Sequence, residues 1–377
     1  MFLKYKLKNY KFRLILEVMI LNIFGIIVIG SAAGTGYQIK QIVGMVLGLV
    51  VMGITSLIDY EYFMKLAWPI YGFNVFMLAL IMLPVFGDDA KGAQRWIAIG
   101  GIRFQPSELA KILIILFFAF FFSKYRERIN TLKMICISCL LAGVPLVLIL
   151  KQPDLSTTIV TAVMFSVMMF ACGLSWKVVG GVIAVLVPSV IILLNIIVTK
   201  GNTFLANHQY LRIMAWLRPE EFPQQALQQQ NAIIAIGSGQ LFGKGLFNSD
   251  VASLKNGNFI YEPHTDCIFS VIGEELGFVG CAFVIGMLLI ITLECVWIAK
   301  KAKDMQGRLI AVGVAGLIGM QEFVHICVNT GMMPNTGLTL PFVSYGLTSL
   351  VSLYIGIGLV LNVGLQPRKY NRAEVKL

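Results

Sequence analysis

The chain has 377 residues, of which 58% are hydrophobic and only 13% charged, with a formal net charge of +11. Soluble domains carry about 25% charged residues, so this composition excludes an ordinary water-soluble fold, and no nucleic-acid partner is expected. It predicts an all-α, polytopic membrane protein folded as one integral membrane domain over 1–377.

A spanning helix needs roughly 20 apolar residues. In chain order, about ten segments qualify: 14–34, 39–58, 64–86, 107–122, 134–150, 155–172, 177–198, 266–298, 309–330 and 341–363. Arg13 is followed by a long apolar run with no small-residue cleavage site, so the first span is expected to remain as an anchor. Lys and Arg concentrate in 1–13, 124–133, 300–308 and 366–377, which places both termini in the cytoplasm by the positive-inside rule. Two longer loops then face outward, 87–106 and 199–265, the second lying between spans seven and eight. The second loop contains an amphipathic piece at 209–219 and a glutamine-rich helix candidate at 224–236. Its bases Lys200, Arg212, Arg218, Lys244 and Lys255 either travelled with a long loop whatever their charge or meet an anionic partner at the outer face.

Ionisable groups in apolar segments are costly and normally face a bundle interior. WIAIGGIRFQPSELAKI (96–112) is the densest group. Pro106-Ser107-Glu108 reads as a helix start, and Glu108 and Lys111 share one helical face at a spacing that favours an ion pair. That pair explains itself structurally, but one carboxylate cannot neutralise both Lys111 and Arg103, and a spare cation at the membrane edge suits a phosphate. In KQPDLSTT (151–158), Asp154 is placed to cap a helix together with Ser156 and Thr157. The Cys136-x-x-Cys139 pair lies within a span of Ile, Leu and Val, where buried small hydrophobes are expected and metal ligands are not. GSGQLFGKG (237–245) lacks the spacings of nucleotide-binding loops, so its glycines are expected to serve turns or close packing.

EPHTDCIFSVIGEELG (262–277) opens the eighth span. On a helical wheel Asp266, Ser270, Gly273 and Gly277 share a face, with Glu274 and Glu275 pointing elsewhere and deeper. The two glutamates are expected to network structurally with internal partners. Span nine carries Gln321, Glu322, His325 and Asn329. Glu322-x-x-His325 lacks the further carboxylates of a bundle metal site, and a hydrogen-bond network is expected. TGMMPNTGLTLPFVSYGLTS (330–349) is broken by Pro and Gly, which at a membrane edge is tolerated only against protein or a wet cavity. A cleft is expected there.

Five stretches, GAQRWIAIGGIRFQPSELAKI, QPDLSTT, IAIGSGQLFGKG, EPHTDCIFSVIGEELGFVG and PNTGLTLPFVSYGLTSL, resemble in the same order the hallmark segments of the SEDS family, which comprises RodA, FtsW and SpoVE. The resemblance covers roughly 90 to 365. Cys267, Ser156, Leu347 and His325 depart from the residues usual in the family. IGSGQLFGKG leans toward the RodA branch, whereas IGEELGFVG and NTGLTLPF lean toward FtsW or SpoVE; the RodA branch is preferred slightly.

The resemblance implies peptidoglycan glycosyltransfer, polymerising lipid II at the outer face of the bacterial cytoplasmic membrane for elongation, division or sporulation. It implies Asp266 as the essential catalytic residue, with Trp96, Arg103, Gln105, Glu108, Lys111 and Asp154 functionally sensitive. Asp266 would act as general base on the acceptor 4-hydroxyl, and Arg103 and Lys111, helped by Arg212 or Arg218, would clamp the departing undecaprenyl pyrophosphate. Glu108 would orient Lys111, and Trp96 would pack against a sugar or lipid tail or anchor the interface. No cofactor is certain; a divalent cation, Mg or Mn, bridging Asp266 and pyrophosphate stays open, with no ligand cluster that compels it. The implied partners are lipid II, the growing glycan strand, a class B penicillin-binding protein with transpeptidase activity, and other elongation or division proteins. Two rivals stand beside this reading: a flippase for lipid-linked precursors, disfavoured by the lack of inverted repeats and of a midplane site, and a non-catalytic scaffold of the cell-wall machinery.

Overall fold

The computed structural model describes residues 10–82, 88–90, 93–99, 102–152, 154–201, 207–248, 253–255, 257 and 259–366. The bases Lys4, Lys6, Lys8 and Lys91 and the segment from 367 onward lie outside them. Among the described residues nine helices are long and apolar enough to cross a membrane. They are α1 (Phe12–Ala33), α2 (Thr35–Leu57), α5 (Pro106–Lys124), α6 (Leu132–Lys151), α7 (Leu155–Cys172), α8 (Trp176–Lys200), α11 (Ile268–Lys300), α12 (Met305–Asn329) and α13 (Leu347–Leu365). The predicted third span is divided. A one-and-a-half-turn helix, α3 (Tyr60–Lys65), capped by Asp59, precedes the shorter apolar helix α4 (Ala67–Leu80). Two further helices, α9 (Asn207–Leu217) and α10 (Pro223–Ser238), occupy the long loop where helical pieces were expected.

The loop 87–106, read from the sequence only as one of two longer outer loops, contains a small antiparallel meander of β1 (Asp88–Ala90), β2 (Ala93–Ile99) and β3 (Ile102–Phe104) in the order β1-β2-β3. Ile97 is opposite Phe104, and Ile99 opposite Ile102. The β-rich runs QRWIAI and IRF flank Gly100-Gly101 in the sequence, which is a hairpin pattern. The meander lies against α5 and α13.

The interior is built by α5, α12 and α13, with α2, α7 and α11 packed around them. Van der Waals packing must hold helices together in lipid, so small residues mark the close approaches. Gly44 and Gly48, four apart on α2, face Leu347, Leu350 and Tyr354 of α13, and a Cβ on Gly48 would lie 2.1 Å from the Tyr354 ring. By contrast α8 presents an almost wholly exposed apolar surface, as expected for a helix that meets lipid on most sides. Cys136 and Cys139 are exposed on α6, so the expectation that both are buried is overturned: their side of α6 faces away from the bundle.

Alternating helix direction gathers the connections into two ends. One end joins Tyr10 to Ser56, Tyr60 to Asp304 (2.9 Å) and Gln366 to Asp59 (2.8 Å), with Lys303 bonded to Glu61. The other end holds α9, α10, the meander and the irregular segment 330–346.

The eighth span is not one continuous helix. Gly277 has φ 64° and ψ −159°, a region that only glycine occupies freely. There the Phe278 and Val279 amides donate to Gln240 and Leu241 carbonyls, while the Lys244 and Gly245 amides donate to the Glu274 and Glu275 carbonyls. The GSGQLFGKG stretch thus threads onto the break in α11, and a Cβ on Gly239 would fall 1.8 Å from the Gly273 carbonyl oxygen. Gly239 and Gly243 serve close packing, and Gly245 (φ 96°) a turn, the two uses the sequence suggested. The wheel drawn from Asp266 to Gly277 needs correction, because α11 begins at Ile268 and Asp266 sits in the turn ahead of it.

Candidate functional site: the helix ends around Asp266

Segment 330–346 is met by several of the polar residues singled out in the sequence, namely Ser156, Gln321, His325 and Asp266. Pro334 and Pro341 lack amide donors and Gly331, Gly337 and Gly346 favour turns, so this stretch cannot continue α12. It is pinned by side chains from the surrounding helix ends. On α12, Gln321 Nε2 donates to the Thr339 carbonyl at 3.0 Å and His325 Nδ1 to the Leu338 carbonyl at 2.6 Å. Asn329 Nδ2 donates to the Asp266 carbonyl at 3.0 Å. These three form the expected hydrogen-bond network. His325 Nδ1 is committed to a backbone carbonyl, and among the described residues no further His, Cys, Asp or Glu is grouped with Glu322 and His325.

From α7, Ser156 Oγ donates to the Thr336 carbonyl at 3.2 Å. Asp154 caps α7 by accepting from the Thr157 amide at 3.1 Å and from Ser156 Oγ at 3.2 Å. Its other oxygen accepts from Gln105 Nε2 at 3.4 Å. The capping role and the link to the RFQPSELAK stretch therefore coexist. Gln105 is the N-cap residue of α5, and Pro106 occupies the first turn, as expected.

Lys111 and Glu108 form the expected pair one turn further along α5. The Lys111 ammonium lies 2.9 Å from both Glu108 oxygens and 3.2 Å from Gln321 Oε1. Both side chains are buried, Lys111 to 1% exposure. This differs from the setting expected of a clamp on a departing phosphate. The charge of Lys111 is already balanced, and its bond to Gln321 leads on to Thr339, so it supports the segment from beneath.

Asp266 is half-buried in the turn 262–267, where the Thr265 and Cys267 amides both donate to the Glu262 carbonyl. Glu262 has φ 51°, a left-handed conformation that non-glycine residues adopt at some cost and that recurs at functional sites. The Asp266 carboxylate faces Gly337 (φ 72°): a Cβ there would come within 3.2 Å of Oδ2. Gly337→Ala would both strain the backbone and push on the carboxylate. It is expected to cost about 1 kcal/mol or more of stability and to lower activity more than that loss explains, as checked by melting temperature and turnover on the same preparation.

The remaining predicted residues are placed less centrally. Arg212, exposed on α9, lines a small groove with Leu155, Gln209, Ile213, Pro334, Asn335 and Thr336. Beside segment 330–346, where a cleft was expected, the described residues leave this groove of about 20 Å³, room for roughly one water molecule. Trp96 is half-buried on β2. Arg103 lies on β3, its backbone opposite Ala98, and its side chain is outside the described residues. Arg218 makes an exposed pair with Glu221 at 3.1 Å, an interaction worth about 0–1 kcal/mol. Lys244 bonds Glu274 at 2.9 Å, and Lys255 bonds Glu275. Glu274 also accepts from the Leu254 and Lys255 amides, and Glu275 from Ser31 Oγ at 2.6 Å. The two glutamates thus have the structural role expected of them, and the anions met by Lys244 and Lys255 belong to the protein itself. Among the described residues, no group of three or more His, Cys, Asp or Glu side chains is arranged to hold a metal.

Sequence reasoning missed Gly337, Thr339, Gln228 and the aromatic residues Tyr37 and Tyr345. Gln228 Oε1 accepts from Asn335 Nδ2 at 2.8 Å and its amide approaches Cys267 Sγ. Its signal was only a glutamine-rich helix, with no residue in it distinguished from the rest.

The architecture defines a polytopic membrane protein that gathers a carboxylate, a buried ion pair and a broken backbone segment at one end of its bundle. The chain belongs to the FtsW/RodA/SpoVE family, described as cell cycle protein, whose profile matches residues 12–369. It is 32% identical over 375 residues to the probable peptidoglycan glycosyltransferase FtsW of Geobacter sp. (strain M18), covering 96% of this chain and 99% of that one. It is 35% identical over 358 residues to the peptidoglycan glycosyltransferase MrdB of Escherichia coli (strain K12), covering 93% and 92%. A solved chain from "Structural coordination of polymerization and crosslinking by a peptidoglycan synthase complex" superposes with TM-score 0.78 and 29% identity over 94% of this chain and 97% of that one. The matched relatives span both branches that the sequence motifs suggested.

Proposed function

We propose that this chain is a peptidoglycan glycosyltransferase that polymerises lipid II at the outer face of the bacterial cytoplasmic membrane, with both termini in the cytoplasm. The observation that carries the proposal is the Asp266 carboxylate, half-buried against Gly337 where the ends of α11, α12 and segment 330–346 converge. The names of its full-length relatives supply the reaction class.

In the reaction, the 4-hydroxyl of the acceptor GlcNAc attacks the anomeric carbon of the donor MurNAc. A glycosidic C–O bond forms, the bond to undecaprenyl pyrophosphate breaks, and Asp266 takes the hydroxyl proton as general base. The leaving group departs as an anion and needs charge stabilisation more than a proton. Arg212 beside Thr336, and Arg103, are the cations we assign to it. Arg218 already faces Glu221 and contributes less. Lys111, Glu108, Gln105 and Asp154 act by holding segment 330–346 and the start of α5 in register, and Trp96 packs at the rim against sugar or lipid. A divalent cation, Mg or Mn, would supply charge between Asp266 and pyrophosphate; no step above depends on it.

The partner we assign is a class B penicillin-binding protein that crosslinks the strands, together with other elongation or division proteins. The superposition on a chain of a peptidoglycan synthase complex supports this. The gathering of the polar residues at one end of the bundle favours polymerisation over transport, for which a midplane site is usual. The test is purified protein in proteoliposomes supplied with lipid II. Glycan strands are expected; lipid II that crosses the bilayer without being polymerised would overturn the proposal in favour of a flippase.

A further inference from the structure

Beside Asp266 lies a set of aromatic rings that the mechanism above does not use. Tyr37 comes from the first turn of α2, His264 from the Asp266 turn and Tyr345 from segment 330–346. The Tyr37 and His264 ring centroids are 4.3 Å apart, Tyr37 and Tyr345 5.1 Å in edge contact, and His264 and Tyr345 5.6 Å.

The cluster is tied to the catalytic turn by backbone bonds. The Tyr345 amide donates to the His264 carbonyl at 2.8 Å, and Ser344 Oγ donates to the Thr265 carbonyl at 2.7 Å. From α2, Gln41 Nε2 donates to the Ser344 carbonyl at 3.1 Å, and Gln41 Oε1 accepts from the Gly346 amide at 3.4 Å. Rings held in this way keep a fixed position relative to Asp266, which is the property a positioning surface requires.

Tyr37 remains 38% exposed, so part of its ring area is not used within the cluster. Burial, with Tyr37 nearby, pushes the Tyr345 phenol above its ordinary value, so it stays a neutral donor. Lys40, one turn along α2, reaches to 5.7 Å from the Tyr37 centroid. The surface therefore combines aromatic area with hydroxyl and cationic rims. A pyranose has the complementary form: an apolar face of C–H bonds bounded by a polar edge of hydroxyls, matched by rings whose body is apolar and whose tip is polar.

We propose that Tyr37, His264 and Tyr345 form a sugar-binding platform that holds the pyranose ring of the acceptor next to Asp266. The assignment to the acceptor rests on the transferase reading, because the base must meet the acceptor hydroxyl and the platform shares its turn. The donor pyrophosphate then falls on the side of the Arg212 groove.

The test uses the full chain in nanodiscs. In steady-state polymerisation of lipid II, Tyr37→Ala is expected to raise KM about tenfold, the range of one aromatic contact, with kcat held within about twofold and an unchanged melting temperature. Tyr37→Phe, which keeps the ring, is expected to restore KM to within about twofold of wild type. An unaltered KM in Tyr37→Ala, or Tyr37→Phe as impaired as Tyr37→Ala, would overturn the platform. A second arm separates this outcome from failure of the transferase reading: lipid II binding, measured by native mass spectrometry, to Asp266→Asn and to Asp266→Asn carrying Tyr37→Ala. If wild type makes no strands, the transferase reading and the assignment to the acceptor fall, and this arm decides whether the rings bind the sugar of lipid II. Binding about tenfold weaker in the doubly substituted protein supports it, and equal binding overturns it.

Discussion

Asp266→Asn is expected to lower lipid II polymerisation by about 10²–10⁴-fold, the usual contribution of a positioned general base, with folding unaffected. Asparagine keeps the size and shape of the side chain. The bonds that build the turn use backbone groups: the Asp266 carbonyl accepts from Asn329, and the Thr265 and Cys267 amides donate to Glu262. What changes is the negative charge and one oxygen able to take a proton. The single-turnover rate with saturating lipid II isolates the chemical step, and the melting temperature reports the fold. A variant that retains near-normal glycan synthesis would remove Asp266 from the chemistry and leave the cell-wall scaffold as the better reading. A variant that fails while its melting temperature falls by many degrees would show that the carboxylate supports the turn instead.

What could be read from the sequence follows from which forces are local. Span positions are set by runs of apolar residues as long as the bilayer is thick, and α7 begins and ends where its run does. The start of α5 was legible because Pro106 and Glu108 act within one turn, and the Glu108–Lys111 pair because three residues apart is one helical face. The cap at Asp154 was legible for the same reason. The unread part lies in contacts across the chain. Lys255 meets Glu275 and Lys244 meets Glu274 only because Gly277 breaks α11 and admits the glycine-rich stretch. A wheel drawn through that glycine treats it as helical and cannot show the break. Gly337 lies against Asp266 through a turn with no sequence signal beyond Pro and Gly. The exposure of Cys136 and Cys139 depends on which neighbours α6 acquires, and in lipid an exposed face is as apolar as a buried one.

The second large effect concerns Lys111. Lys111→Ala leaves the Glu108 carboxylate buried without its cation, a change that costs about 3–5 kcal/mol, so a clear fall in melting temperature and in membrane-inserted yield is expected. Removing both charges together behaves differently. Glu108→Leu combined with Lys111→Met replaces a buried ion pair with hydrophobic groups of similar volume, a change that is often neutral or stabilising, and most of the lost stability should return. Activity should not return with it. Gln321 Oε1 accepts from the Lys111 ammonium while its Nε2 holds Thr339, whose hydroxyl meets Ser349 Oγ at 3.1 Å. Methionine cannot donate to Gln321, so Thr339 and the adjoining Gly337 lose one restraint on their position against Asp266. The doubly substituted protein is therefore expected to melt near wild type yet polymerise lipid II at least about tenfold more slowly, roughly 1.4 kcal/mol of barrier, comparable to one net hydrogen bond. Full activity in that protein would show that the pair serves only to fill the bundle. Equal losses of stability and activity in Lys111→Ala and in the doubly substituted protein would show that the uncompensated carboxylate is not what destabilises the single variant.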